Sequence, residues 1–341
     1  MPTLSSTSLP SAPPATEPNE SVPEAILPPP QQVFSTGRKV LSWVTTFVGV
    51  SVPLVGLAAG IVLAVGWGYF GWVDFALLVG MYLMSMLGVT VGFHRLFTHR
   101  SFQTVRPIQV LFGVLGSMSF QGPLLDWVGR HRLHHQHSDK DGDPHSPYPH
   151  TRGLKGWLQG FWHSHIGWAF SPMPDGLDRY AGDWRRDPVI RTVSALFPLW
   201  ALLGVLIPAA IGYAFGGWHG ALTGFVWGGL VRILLGHHAT WSVNSICHLW
   251  GSKPYAAGDE SRNNVLVGVV ALGEGWHNNH HAFPSSARHG LQWWQFDLSW
   301  LVIRGLALCG LAWRVRLPSR GELIARAADG ERSMPATGTA S

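Results

Sequence analysis

Two long stretches of the chain are almost free of charge. Residues 42–94 hold no Lys or Arg and a single Asp, and residues 192–231 again hold no Lys or Arg. Each stretch is interrupted once by an aromatic, glycine-rich turn, GWGYFGW in the first and GYAFGGWHG in the second. A membrane-crossing helix needs about 20 mainly apolar residues. The pattern therefore predicts four spans, at about 43–66, 72–93, 192–215 and 218–241. Positive charge gathers on their flanks: Arg38 and Lys39, then Arg95 and Arg100, then Arg185, Arg186 and Arg191. The positive-inside rule then places both turns outside and the rest of the chain on the cytoplasmic side.

A third apolar run, 107–128, is nearly long enough to cross. Gln121, Gly122, Pro123 and Asp126 interrupt its second half, so it is expected to re-enter or to lie at the interface. The run 298–313 carries Arg304 in its middle and is expected on the membrane surface. Residues 1–36, rich in Pro, Ser, Thr, Ala and Glu, read as a disordered tail without the features of a signal peptide. The chain from 318 to 341 reads as a second loose tail, which leaves 37–317 as one domain.

Composition agrees with a membrane protein that has substantial water-facing parts. Charged residues are 13% of the chain, against about 25% in a soluble domain. A net charge of +5 is too slight to argue a nucleic-acid partner and fits a bias toward anionic head groups. Cys247 and Cys309 give no disulfide framework and no CxxC, and read as small packing residues.

The candidate chemistry is in the histidines, eighteen in all. HRLFTH carries His94 and His99, HRLHH carries His131, His134 and His135, and HNNHH carries His277, His280 and His281; NSICH adds Asn244 and His248. Residues at i, i+3 and i+4 share a helix face, so each HxxHH is expected to aim three imidazoles at one point. His94 and His99 would point about 140° apart on an ideal helix. They share a centre only off the helix end, or serve two neighbouring metals. Neutral imidazole suits iron, zinc, copper and nickel. Nine histidines exceed the four ligands of a tetrahedral site, and two ions would share them, with Asn244 binding directly or through water. The absence of HExxH argues against a zinc protease. The clusters sit at span ends and in cytoplasmic segments, so all can meet on one face. His150, His219 and His289 read as ordinary surface or core residues, while His237 and His238 are more open.

HRLFTH, HRLHH and GEGWHNNHHAFP, with WSVNSICHLWG before the last, resemble the membrane fatty acyl desaturases of the acyl-CoA Δ9 (stearoyl-CoA) type; the likeness runs over about 91–290. The resemblance implies an all-α integral membrane fold of four transmembrane helices under a cytoplasmic helical cap. It implies two irons held by His94, His99, His131, His134, His135, His248, His277, His280 and His281, with Asn244 linked through water. Asp143, His145 and Glu274 match positions that orient ligand imidazoles. Gln121, Trp127, Thr240 and Trp241 match the lining of a kinked acyl tunnel near its bend, and Arg132 matches a CoA-contacting arginine. Animal members carry a basic pair after a Gly-Trp dipeptide; here Gly167 and Trp168 lead into AFSPMP instead. Acyl-CoA, lipid-linked and carrier-linked chains all stay open as substrates. The implied reaction uses O2 to insert a cis double bond. With no cytochrome b5 domain in view, electrons are expected from a separate ferredoxin, rubredoxin or cytochrome b5 with its reductase. The expected location is a bacterial inner membrane with the site facing the cytoplasm. A membrane fatty acyl or alkane hydroxylase shares the boxes, and a metal-binding or transport protein is the non-enzymatic alternative. A transporter, however, would place its ligands near the bilayer midplane.

Overall fold

The computed structural model describes residues 35–148, 153–174 and 176–328. His150, all but the end of the expected N-terminal tail, and the last residues of the C-terminal one lie outside them. Helix α1, Thr36–Ile61, ends in a π-helical turn, Val62–Gly66; α2, Trp72–Leu87, runs on into a longer π-helix, Gly88–Thr98. Then come α3, Arg106–Ser117, α4, Leu124–His137, and α5, Gly153–His165. The short α6, Gly182–Arg185, and α7, Pro188–Ala195, lead to α8, Phe197–Gly224, and through a π turn to α9, Arg232–Leu249. Short helices α10, Val265–Val270, α11, His277–Ala282, α12, Leu298–Leu308, and α13, Arg320–Arg326, complete the chain. Two short strands, β1, Gln103–Thr104, and β2, Ala312–Trp313, pair antiparallel.

Among the described residues, three helices are long and apolar enough to cross a membrane: Thr36–Gly66, Trp72–Thr98 and Phe197–Leu249. The third is bent back on itself. Gly216 and Gly217 leave helical geometry, Gly217 with φ +57°. A Cβ on Gly212 would stand 2.0 Å from the Gly220 carbonyl oxygen, so the two arms touch backbone to backbone. The bend falls within GYAFGGWHG, where the hydropathy pattern divides. The residues before Phe197 belong to the separate α7, started by Pro188 and capped by the Asp187 carboxylate, which accepts from the Val189 and Ile190 amides.

The run 107–128 is not one helix. Phe120 and Gly122 take positive φ, +67° and +96°, and separate α3 from α4. Helix α3 lies hard against the π-helical end of α2: a Cβ on Gly88 would meet the Gly116 nitrogen at 2.1 Å. The segment expected as a loose tail from 318 forms α13 instead. Ser319 and Glu322 make a capping box at its start, and Ala327 bridges to Tyr255 at its end.

Two apolar cores hold the histidine-bearing elements. Phe93, Phe97, Phe112, Leu124, Val128 and Ile303 fill one, between the π-helix Gly88–Thr98, α3, α4 and α12. Met86, Val243, Cys247, Val267 and Leu272 fill the other, between α2, α9 and α10. Each such side chain contributes about 1.5–3 kcal/mol on full burial, so the elements between them are fixed in place. Cys247 is buried and Cys309 exposed, both free thiols.

Candidate metal centre

All nine expected histidines converge, and they do so as two groups. His94, His99, His131, His135 and His280 bring one ring nitrogen each within 4.8 Å of one another; His134, His248, His277 and His281 do the same beside them. The expectation that each HxxHH aims three rings at one point needs correction. In both boxes the i, i+4 pair serves one group and the i+3 residue the other. His131 and His135 join the first group while His134 joins the second; His277 and His281 join the second while His280 joins the first. Neighbouring residues on a helix diverge by about 100°, so a ring at i+3 and one at i+4 reach different centres. His94 and His99 share a group because the backbone between them is π-helical. Its i→i+5 bonds, including His99 N–H to the His94 carbonyl at 3.1 Å, bring residues five apart onto one face.

Carboxylates fix the outward nitrogens. His134 Nδ1 lies 3.0 Å from Asp143, His248 Nδ1 2.9 Å from Asp139, His281 Nδ1 2.5 Å from Asp259 and His94 Nδ1 2.5 Å from Glu274. A ring that donates through Nδ1 presents its Nε2 lone pair inward. The Nε2 atoms of His94 and His248 then face other imidazole nitrogens, His280 at 3.0 Å and His277 at 3.0 Å, and His280 Nε2 also faces His135 Nε2 at 2.9 Å. The buried Nε2 atoms of His99, His134 and His281 have no hydrogen-bond partner among the described residues. Facing lone pairs and orphaned buried nitrogens are costly without a cation between them. The donor set fits two metal ions, five imidazoles at one and four at the other.

Electrostatics favour the ligating forms. Burial, then the neighbouring histidines, lowers His131, His135, His277 and His280 well below the ordinary imidazole value, so all four rings are neutral at pH 7. Burial alone would raise the carboxyls of Asp143 and Asp259. His134 and His281 outweigh it and hold both well below the usual range. Glu274, more deeply buried, is pushed up to about 7 against the pull of Arg95.

Of the expected orienting residues, Asp143 and Glu274 touch rings of the two histidine groups directly, His134 and His94. His145 lies against His134, ring centroids 4.3 Å apart. Asn244 is half-buried, one turn before His248 on α9. Three of the expected tunnel residues form a chain: Trp127 Nε1 donates to Gln121 at 3.3 Å and Gln121 Nε2 donates to Thr240 at 2.8 Å. The Trp127 ring stacks on His131 at 4.9 Å, and the buried Trp241 packs beside His237 at 5.0 Å. Arg132 is tied to Asp183 and to the carbonyls of Phe97, Thr98 and Tyr180.

Sequence reasoning missed three members of the centre. Asp139 sits four residues after His135 in an acidic loop, a visible signal. Asp259 has no such spacing. His289, expected as an ordinary residue, is 1% exposed, and its ring lies 4.4 Å from that of His280. His219 is exposed, and His237 bonds the Phe120 carbonyl at 3.1 Å.

Comparison with known proteins agrees with this geometry. The fatty acid desaturase family model matches residues 67–308. A hex-5-enoyl-[acyl-carrier protein] acetylenase of Moorena producens (strain JHB) is 42% identical over 79% of this chain and 84% of its own. An sn-1 stearoyl-lipid 9-desaturase of Anabaena variabilis is 40% identical over 84% of this chain and 98% of its own. An acyl-CoA C20 Δ5-desaturase of Anemone leveillei is 40% identical over 73% of this chain and 76% of its own. The matched residues include every histidine of both groups, and the chain belongs to the fatty acid desaturase family.

Proposed function

We propose that this chain is an O2-dependent desaturase that places a cis double bond between carbons nine and ten of a long saturated acyl chain. The observation that carries the reading is the pair of histidine groups lying side by side, with Trp127 stacked on a ring of the first. We assign iron to both groups, with Asn244 completing the four-histidine site through water. The paired irons would supply, with O2 and electrons from a separate ferredoxin, rubredoxin or cytochrome b5, an oxidant strong enough to take hydrogen from an unactivated methylene.

The residues of the chain do the rest. Asp139, Asp143, Asp259 and Glu274 hold the imidazoles by their Nδ1 atoms. The bond chain Trp127–Gln121–Thr240 ties α4 to α9 and forms the bend against which the acyl chain is held. A bent channel preorganises the cis conformer, whereas a straight one would not. Close packing around both groups excludes water. Position is set by a ruler: the head group is gripped at the mouth, and the depth of the two histidine groups selects the carbons.

The membrane arrangement belongs to the same proposal. The hairpin of α8 and α9 supplies two of four spans, and the histidine face looks into the cytoplasm of a bacterial cell. The carrier is acyl-CoA on the resemblance. A lipid-linked chain is the second reading, favoured by Arg132, whose donors are engaged within the protein. Saturated acyl substrates of several lengths, with the double bond located by mass spectrometry, test the ruler. The proposal expects a bond at constant distance from the carboxyl end; a constant distance from the methyl end overturns it.

A further inference from the structure

Directly after His99 the chain turns a guanidinium outward. The Arg100 side chain is half-exposed, pairs with Asp183 at 2.8 Å and lies over the Trp184 ring at 4.4 Å. Pairing of Gln103 with Trp313, and the Arg316 amide bonded to the Ser101 carbonyl at 2.8 Å, draw two further arginines alongside. Arg100, Arg314 and Arg316, with Gln103 and Val315, line a concavity of about 290 Å³. Arg100 and Arg314 both hold left-handed backbone, φ +48° and +50°, which non-glycine residues seldom adopt.

The charge in this hollow is not balanced. Asp183 is shared between Arg100 and Arg132. Arg314 and Arg316 have no carboxylate partner among the described residues. Arg132, the arginine the family resemblance assigns to the head group, has no donor to spare. Its Nε bonds Thr98, its Nη1 bonds Tyr180 and Asp183, and its Nη2 bonds Phe97 and Asp183, which uses all five N–H bonds. The free guanidinium forks lie one ion pair away, around the hollow. Guanidinium matches phosphate oxygens two at a time. The volume suits a polar head and not an acyl chain.

We propose that Arg100, Arg314 and Arg316 bind a phosphate ester, carried either by the acyl substrate's own carrier or by an anionic lipid head group. The inference rests on the desaturase reading for its link to the substrate. Direct binding tests it without that reading. The full chain in phosphatidylcholine nanodiscs is titrated with coenzyme A and, separately, with dihexanoyl phosphatidylglycerol. The perturbation is Arg314→Gln/Arg316→Gln, checked for unchanged melting temperature, with Arg304→Gln as the control outside the hollow. Weakening of coenzyme A binding by about tenfold or more, with a raised KM for acyl-CoA and unchanged kcat, assigns the phosphate to the substrate's carrier. The same weakening for phosphatidylglycerol alone, with KM unchanged, assigns it to a lipid. Either supports the site.

The proposal is overturned if the wild-type chain binds neither ester, or if the variant binds both as the wild type does. It is also overturned if only ferredoxin-driven turnover falls, which would make the hollow a surface for an acidic electron donor. If the double variant does not fold, Arg316→Gln alone is read the same way. Failure of the desaturase reading is distinct: no new double bond in the lipids of expressing cells, whatever binds in the hollow.

Discussion

Asp259→Asn should weaken one metal ion and leave the other in place. Asp259 Oδ2 lies 2.5 Å from His281 Nδ1, and its Oδ1 is held by the Ser261 amide at 3.0 Å. Asparagine keeps the shape and can still accept from the ring, but it removes the charge. A hydrogen bond to a charged group contributes about 1.5–3 kcal/mol, against about 1 kcal/mol for a neutral one. The difference, about 0.5–2 kcal/mol, is about two- to thirtyfold in affinity. Loss of such an outer partner ordinarily costs 10- to 100-fold, so about tenfold is the expectation. His281 belongs to the four-histidine group, so the effect should fall there. Glu274→Gln, acting on His94, should fall on the five-histidine group. The assay is chelator titration of iron-loaded protein, with metal counted by mass spectrometry and the two sites told apart by Mössbauer spectra. The Asp259 variant should release one ion at about tenfold lower chelator than the wild type, and the Glu274 variant, whose carboxyl is already pushed up to about 7, should release the other with a smaller shift. Release identical to wild type, or loss of both ions together from either variant, would refute the assignment of carboxylates to separate centres.

Other outcomes follow from the same geometry. Removing metal should lower the melting temperature by several degrees, because facing imidazole lone pairs are left uncompensated; scanning calorimetry with and without chelator reads this. Gly88→Ala places a Cβ 2.1 Å from the Gly116 nitrogen and 2.3 Å from the Leu115 carbonyl carbon, backbone atoms that cannot yield. It should cost more than about 3 kcal/mol and collapse the yield of monodisperse protein. Cysteines placed in GWGYFGW and in GYAFGGWHG should react with an impermeant reagent from outside the cell. One at the exposed Lys140, beside Asp139, should not, and its labelling would break the proposed orientation.

The nine ligand candidates were legible because their spacing repeats: two HxxHH boxes, one HxxxxH and a span-end histidine. Their division between two centres was not. It depends on the angle between adjacent rings at i+3 and i+4, which a face-sharing rule merges. The union of His94 and His99 needed a π-helix over 88–98, and nothing in GVTVGFHRLFT marks that winding. Asp139 and Asp259 reach their rings from loops 109 and 22 residues away in the chain, beyond any helical period. His289 carried no spacing signal at all; tertiary packing against Arg95 and Glu274 places it. Among the apolar elements, the two turns were visible as glycine-rich breaks. The second of them is where the chain leaves helical geometry, at Gly216 and Gly217. Helix α13 was missed because its seven residues are held by a capping box and by Arg326, which bonds the Ala282 carbonyl and lies over the Phe283 ring.

In the proposed reaction the two histidine groups together remove two hydrogens from an acyl chain. Mass analysis of total acyl chains from a host expressing the wild type and His135→Ala, at matched levels in the membrane, tests it most directly. The wild type should give a new acyl species two mass units lighter, with its bond cis at carbon nine, and the variant none. A new species sixteen units heavier would make the chain a hydroxylase. An unsaturated product that survives His135→Ala would mean that the histidine groups do not carry the reaction.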